Sequence, residues 1–388
     1  MSSSPEAPRR ALVIAMRYLG DVLLATPLVH ALRARYPDCA IDMLVFKGTE
    51  GILQNNPDID AVLTVPERSS GYATLGMVRR LWRRYDVALI PQPGDKPHLF
   101  GWAAAPIRWG LVPQKPSRAW WKRLSVRSPL VEDASLHRVD ESQRLASLLG
   151  IGPAYTVVPP RASSPLGALA AKIGPDLSGA RNLDPNRPYA IIHPSPRWRY
   201  KQWPMEGWRS MLSRLAGRGM QIVVSGGPGP AESGYIDRIL EGLPAPMRPH
   251  VFRAQGKLGL GELADLLRAA NLYVGPDTAT THLAAACGTP TLAIYGPTDP
   301  TLWAPWPPGG PSEPWRRVGA RQARGNVMLV QNPEPSCVPC QEEGCDRHRS
   351  SHSRCLDQLS VESVWAAAEE LLDGAGRDNA RKIAIRTV

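Results

Sequence analysis

Three stretches of this 388-residue chain place reactive side chains where a short apolar run gives way to an amphipathic one. In Arg17-Tyr-Leu-Gly-Asp21, after the apolar residues 11–15, the carboxylate of Asp21 is either a general base for an acceptor hydroxyl or a cap for the amides of residues 22–24. In His193-Pro-Ser195-Pro-Arg197, continued by Lys201-Gln-Trp203-Pro204, a hydroxyl and several cations precede a Trp-Pro helix entry. That composition suits a diphosphate, with Lys201 a compact charge on a leaving phosphate and Ser195 a hydrogen-bond donor. It also reads as a solvated basic loop anchored by Trp203. Val274-Gly-Pro-Asp277-Thr278 stands ahead of a helical pattern at 279–287, and amides at a helix start attract anions. There Asp277 either holds sugar hydroxyls or caps the helix, and Thr278 either lies beside phosphates or caps. His282 is either a contact of the same site or a packed histidine.

Four further features carry weaker signals. Ser225-Gly-Gly-Pro-Gly229 follows an apolar run but lacks the spacing of dinucleotide and P-loop motifs, and reads as a nucleotide-side loop with Glu232 as a ribose partner. Asp58-Ile-Asp60 spells a D-x-D pattern but directly follows Asn-Pro, where a polar turn is expected. Cys337, Cys340, Cys345 and Cys355, with His348 and His352 among them, offer enough ligands for a structural zinc site; reduced thiols or a disulfide pair are the alternatives. Between 113 and 128 five cations, among them Arg118, Lys122 and Arg123, accompany Trp120 and Trp121 without an acid. Such a run fits a phosphorylated glycolipid at a membrane surface, a nucleic acid, or a solvated loop.

The elements that must position these residues alternate. Apolar runs at 11–15, 41–46, 61–65 and 87–90 predict strands, with a helix over 22–35 after the first. A Pro-, Gly-, Ala- and Ser-rich stretch holding one helix, 166–173, predicts a linker. The rhythm then restarts with strands at 189–193, 221–225, 272–274 and 291–295 and helices at 205–218, 231–240, 261–270 and 279–287. Strands separated by helical patterns predict parallel sheets with helices on both faces. The expected division is 1–155, a linker over 156–187, a second α/β domain over 188–360 that includes the cysteine cluster, and a terminal helix and tail over 361–388.

Composition narrows the class. Hydrophobic residues at 43% and charged residues at 21% exclude wholesale disorder and a multi-span membrane protein. The net charge of +11 favours anionic partners. Six cysteines in so long a chain are no disulfide scaffold, and the apolar run 11–16 is too short for a secretory core, so the expected compartment is the cytosol.

Taken in order, Arg17-Tyr-Leu-Gly-Asp-Val-Leu-Leu-Ala-Thr-Pro27, Asn56-Pro-Asp-Ile-Asp60, Lys201-Gln-Trp-Pro204, Val274-Gly-Pro-Asp-Thr278 with His282-Leu-Ala-Ala285, and Tyr295-Gly-Pro-Thr-Asp-Pro300 resemble the family 9 glycosyltransferases, the heptosyltransferases of lipopolysaccharide core assembly. The resemblance spans about residues 11 to 372. It implies an α/β GT-B fold, two Rossmann-like domains with parallel sheets facing a central cleft, the first for the acceptor and the second for the nucleotide sugar. It further implies inverting transfer of heptose from ADP-heptose to a Kdo/heptose-lipid A acceptor, with no metal or other cofactor required for catalysis. The implied place of work is the cytoplasm, peripheral at the inner membrane, with no nucleic-acid partner. Carried over by position, Asp21 matches the base, Lys201 the phosphate-neutralising lysine, Asp277 the holder of heptose hydroxyls, and Thr278 with the Ala279 amide the diphosphate contacts. Leu258 falls where the adenine edge is read. Ser195 stands where the family often has two adjacent hydroxyl residues. The alternatives are a GT-B transferase or epimerase with another nucleotide sugar, and a zinc-stabilised nucleic-acid-binding protein drawing on the +11 charge.

Overall fold

The apolar runs at 11–15, 41–46, 61–65 and 87–90 do become adjacent parallel strands. The computed structural model describes residues 7–68 and 70–386, side chains at 116, 118, 119 and 375–386 excepted. It divides between Pro160 and Arg161 into two units, each built around its own sheet.

The first unit holds strands β1 (Arg10–Ile14), β2 (Ala40–Phe46), β3 (Ala61–Val65), β4 (Val87–Ile90), β5 (Ile107–Val112) and β6 (Ser128–Val131), all parallel, in the order β3-β2-β1-β4-β5-β6. Its helices are α1 (Leu19–Leu24), α2 (Thr26–Arg35), α3 (Gly71–Leu81), α4 (Asp95–Ala104), α5 (Pro116–Ser125) and α6 (Arg138–Leu148). Strand order runs one way from β1 to β3 and the other from β4 to β6. Right-handed crossovers therefore lay α1 and α2 on one face and α3, α4 and α5 on the other. α6 returns to pack on α2, while α3, α4 and α5 pack in succession. β4 is buried on both faces, which explains its unbroken apolar run.

The helix expected over 22–35 is two helices. Pro27 has no amide to offer the Leu23 carbonyl, and the Thr26 hydroxyl takes that acceptor instead at 2.7 Å.

The second unit's sheet runs β12-β13-β11-β10-β7-β8-β9: β7 (Tyr189–Ile192), β8 (Gln221–Val224), β9 (Val251–Arg253), β10 (Leu272–Pro276), β11 (Thr291–Tyr295), β12 (Arg321–Arg324) and β13 (Val327–Gln331). Only β12 is antiparallel, paired to β13. The helices are α7 (Leu166–Ile173), α8 (Met205–Gly217), α9 (Pro230–Glu241), α10 (Leu260–Ala269), α11 (Ala279–Ala286), α12 (Pro300–Trp303), α13 (Arg354–Asp357) and α14 (Val361–Arg386). Much of the stretch expected as a linker is folded into this unit: α7 packs on α10, and Asp176 bridges to Phe252. α14 packs on β10, β11, β13 and α8, which assigns the terminal helix to the second unit. The core gathers Trp203, Trp208, Met211, Leu215, Ile222, Ile236, Leu292 and Leu356.

Candidate active site

Asp21 sits in the first turn of α1, one position after Gly20, at the carboxyl end of β1. It does not occupy the capping position, which is Tyr18. Its side chain is 11% exposed, and Arg17 Nη1 stands 3.4 Å from Oδ1. Burial raises its pKa above the ordinary 3.8, and this outweighs the lowering by Arg17, by the backbone amides of Tyr18 and Asp21, and by Arg138. Arg138 is itself bound to Glu132 (3.3 Å) and to the buried Glu141. The result is a carboxylate whose proton affinity exceeds that of a surface aspartate, the property a general base needs.

The second unit gathers its polar residues at the carboxyl ends of successive strands. β7 is followed by β8 on one side, while β10 lies on its other side and continues to β11. The chain thus reverses direction between β7 and β10, a topological switch point where open α/β sheets bind ligands. Lys201 ends a short 3₁₀ turn, Arg199–Lys201, in the loop after β7, and Asp277 follows β10; the lysine ammonium is bonded to Asp277 Oδ2. Trp203 fixes this loop. It is fully buried, packs edge-to-face on Trp208 at 5.2 Å, and donates from Nε1 to the Leu359 carbonyl at 3.0 Å.

Two residues not anticipated from the sequence complete the cluster. The Thr298 hydroxyl donates to Asp277 Oδ2 at 2.6 Å, and Tyr295 Oη, which donates to the Trp303 carbonyl at 2.7 Å, stands 3.4 Å from Oδ1. Both belong to the strand β11 and the loop after it, inside the Tyr295-Gly-Pro-Thr-Asp-Pro300 motif. The signal was their place at the carboxyl end of the strand next to β10. Burial alone would raise the Asp277 carboxyl, but Lys201, with help from the Thr298 hydroxyl, holds it below the ordinary value. Burial lowers His282 to about 4, against the pull of Asp277, so at neutral pH it is uncharged and its 3.9 Å approach to Asp277 is no ion pair. Its Nδ1 is buried without a hydrogen-bond partner.

Thr278 is the N-cap of α11, its hydroxyl accepting from the Thr281 amide, and Ala279 opens the helix with an amide that has no carbonyl to bond inside it. Gly275 must be glycine, since a Cβ there meets Tyr273 Oη at 2.3 Å. Ser195 is buried in the loop after β7, its backbone carbonyl accepting from the His193 ring, which also meets Ser225 Oγ at 3.0 Å. The Gly-rich loop after β8 and the loop after β9 lie side by side, joined by Gly256 N to Gly226 O at 2.9 Å and Gln255 Nε2 to Gly227 O at 2.9 Å. Glu232 accepts from the Gly227 amide, and a Cβ on Gly227 would meet its Oε2 at 2.8 Å. Burial raises the Glu232 carboxyl. Leu258 is half-buried in the second of these loops.

The remaining candidates fall outside this arrangement. Lys122 turns inward, its side chain 6% exposed and 2.8 Å from Asp95, so it is a structural cation rather than a surface contact. Arg123 is exposed, and the side chain of Arg118 lies outside the described residues. Asp58 bonds His30 at 2.8 Å and Asp60 bonds Arg33 at 2.6 Å, which makes the D-x-D pattern a folded turn. At Cys337, Cys340, Cys345 and Cys355, where the sequence offers ligands for a structural zinc, no group of three or more His, Cys, Asp or Glu among the described residues is arranged to hold a metal ion. These cysteines are free thiols; Cys345 Sγ accepts from the Arg354 amide at 3.3 Å, and burial, then the neighbouring thiols, push Cys355 up to about 12.

The model of glycosyltransferase family 9 (heptosyltransferase) matches residues 77–309, more than half of the chain. The chain belongs to this family. Among relatives of this glycosyltransferase, lipopolysaccharide heptosyltransferase 3 of Escherichia coli K12 is 29% identical over 371 residues, covering 92% of this chain and 96% of the relative. Lipopolysaccharide heptosyltransferase 1 of Pseudomonas aeruginosa is 26% identical, covering 91% and 92%. The E. coli heptosyltransferase WaaC, solved with ADP, superposes with a TM-score of 0.66 at 22% identity, covering 93% of this chain and 99% of that one. The fold of this family 9 glycosyltransferase is therefore GT-B, two Rossmann-like units with parallel-dominated sheets.

Proposed function

We propose that this glycosyltransferase moves a heptose from ADP-heptose to the inner core of lipopolysaccharide, inverting the anomeric centre in one displacement that needs no metal ion. The observation that carries the reading is the Lys201–Asp277 pair at the switch point of the second sheet, with Thr298 on the same carboxylate oxygen. A cation there supplies the charge that a departing diphosphate requires, and the start of α11 at Thr278 and Ala279 adds amide donors. The relatives named as lipopolysaccharide heptosyltransferases, and the ADP in a solved relative, support ADP-heptose as donor.

In this mechanism Asp21 takes the proton of an acceptor hydroxyl as that oxygen attacks the anomeric carbon. The bond from that carbon to the β-phosphate oxygen breaks, and ADP leaves with the electron pair. Diphosphate is a good leaving group, so one base and a cationic pocket suffice where glycoside hydrolysis uses paired carboxylates. Asp277 holds sugar hydroxyls, and Ser195, Glu232 and Leu258 line the nucleotide side. The acceptor is a Kdo- or heptose-bearing lipid A, and the enzyme works in the cytoplasm, peripheral at the inner membrane. No helix among the described residues is long and apolar enough to cross a membrane.

The test is ADP release from ADP-heptose with a heptose-deficient lipopolysaccharide acceptor in EDTA, beside UDP- and GDP-sugars. Turnover confined to the ADP-sugar supports the proposal. Turnover with a UDP- or GDP-sugar instead replaces the donor, and a requirement for divalent metal overturns the mechanism.

A further inference from the structure

Residues 71–127 carry eleven Lys and Arg against two acids, a net +9 in a chain whose total is +11. Both acids are engaged within the fold: Asp86 accepts from the amides of Arg9 and Arg10, and Asp95 pairs with Lys122. Exposed arginines at 79, 80, 83 and 84 follow one another through the end of α3, and Arg123 stands on α5. No acid forms an ion pair with any of these five among the described residues.

The same layer exposes apolar side chains that a water-facing surface normally covers. Tyr72 is 90% exposed, Leu124 78% and Trp120 65%, and Leu75, Trp82 and Trp102 are also exposed. Spacing sorts them with the cations. Tyr72, Leu75 and Arg79 lie on one face of α3, and Trp120, Arg123 and Leu124 on one face of α5. Trp82 packs edge-to-face on Trp102 at 5.5 Å with the Arg83 guanidinium above its ring, which joins the end of α3 to α4.

We infer that the outer layer of the first unit, α3, α4 and α5, docks the protein onto an anionic phospholipid bilayer; this rests on the reading that the acceptor is a lipid. Tryptophan and tyrosine favour the headgroup level, where an amphipathic ring meets both apolar and polar surroundings, and arginine pairs with lipid phosphate. The cations are interleaved with the rings. A protein-protein interface concentrates charge at its rim and depletes it at its centre, so this mixture fits a lipid headgroup layer better than a second protein.

Co-sedimentation of the full chain with phosphatidylglycerol–phosphatidylcholine vesicles, and with phosphatidylcholine alone, tests the inference. Binding is expected on the anionic vesicles only and falls as salt rises. Arg79→Glu combined with Arg80→Glu and Arg123→Glu is expected to lower partitioning by more than about a hundredfold, since losing each basic residue near a charged membrane costs roughly fivefold and each new carboxylate adds repulsion. Trp120→Ala with Leu124→Ser is expected to weaken binding while leaving its salt dependence in place; Tyr72→Ser with Leu75→Ser serves the same purpose if that pair fails to fold. ADP titration of each variant should match the parent. Vesicle binding unaffected by these changes, or no binding by the parent, overturns the inference, as does full displacement of vesicles by duplex DNA. Loss of ADP-sugar turnover with vesicle binding intact would overturn the donor assignment and leave this surface standing.

Discussion

Asp21 and Asp277 occupy equivalent places in the two units, each a buried aspartate where a parallel strand gives way to a helix, yet their surroundings push them in opposite directions. Asp21 has Arg17 at 3.4 Å as its nearest cation, and desolvation wins, so its pKa rises. Asp277 is buried more deeply but bonds Lys201 and Thr298 through one oxygen, and its pKa falls. One fold thus presents a carboxylate inclined to take a proton and another inclined to keep its charge. The difference separates proton transfer from the holding of a polar, charged ligand.

The strongest way to break this comparison is Asp21→Asn. Removing a general base costs roughly a thousandfold in kcat, whereas affinity for ADP should stay at the parent value. Stability should move the other way. Because the folded pKa of Asp21 lies above its unfolded value, its ionised form destabilises the fold above that raised pKa, and the penalty disappears below 3.8. Asn should therefore raise the melting temperature at neutral pH and leave it unchanged in strong acid. A lowered melting temperature at pH 7 would contradict the assigned environment.

Lys201→Ala comes next, with an expected loss of about 3 kcal/mol of transition-state stabilisation, close to a hundredfold in kcat/KM. The variant also leaves Asp277 buried without its cation, so the fold should be destabilised at neutral pH, most clearly where Asp277 is ionised in both states. In the parent, the depressed pKa of Asp277 supplies stability above 3.8 that is lost as pH falls through the lower folded value. Thermal melts from pH 2 to 7 read this directly.

Thr298→Val sharpens the comparison at a smaller scale. A hydrogen bond to a charged group contributes about 2 kcal/mol, so the donor KM should rise ten- to thirtyfold with kcat less affected. Thr298→Ser should restore most of it. Equal kinetics for the Val and Ser variants would show that the hydroxyl does not position Asp277. The smallest effect is expected at His282: an imidazole with a pKa of about 4 is neutral across the physiological range, so the pH profile above pH 6 should be unchanged in His282→Gln.

Much of the framework was legible because parallel strands buried on both faces read as continuous apolar runs; β4 and β11 begin and end where their residues predict, as does the partly exposed edge strand β3. Most strands that escaped notice lack that signature: β5 is interrupted by Arg108 and Gly110, β9 has only three residues, and β12, Arg-Gln-Ala-Arg, holds no apolar run. β13, Val-Met-Leu-Val-Gln, carries the signature but lies outside the strand–helix rhythm by which the others were found. Asp21, Lys201 and Asp277 were visible because each stands at a strand-to-helix turn. Thr298 was not, since a threonine in a Pro-Thr-Asp-Pro stretch reads as a loop residue until β11 is placed beside β10. Lys122 misled for the converse reason: its charge is explicit in the sequence, but its partner Asp95 is 27 positions away on another helix.

Calorimetric titration of ADP into the parent, Asp21→Asn and Lys201→Ala proteins in EDTA is the most direct test of the division of labour between the two aspartate environments. The account predicts metal-independent binding that is equal for the parent and Asp21→Asn and at least tenfold weaker for Lys201→Ala. Weakened binding in Asp21→Asn together with parental affinity in Lys201→Ala would contradict it.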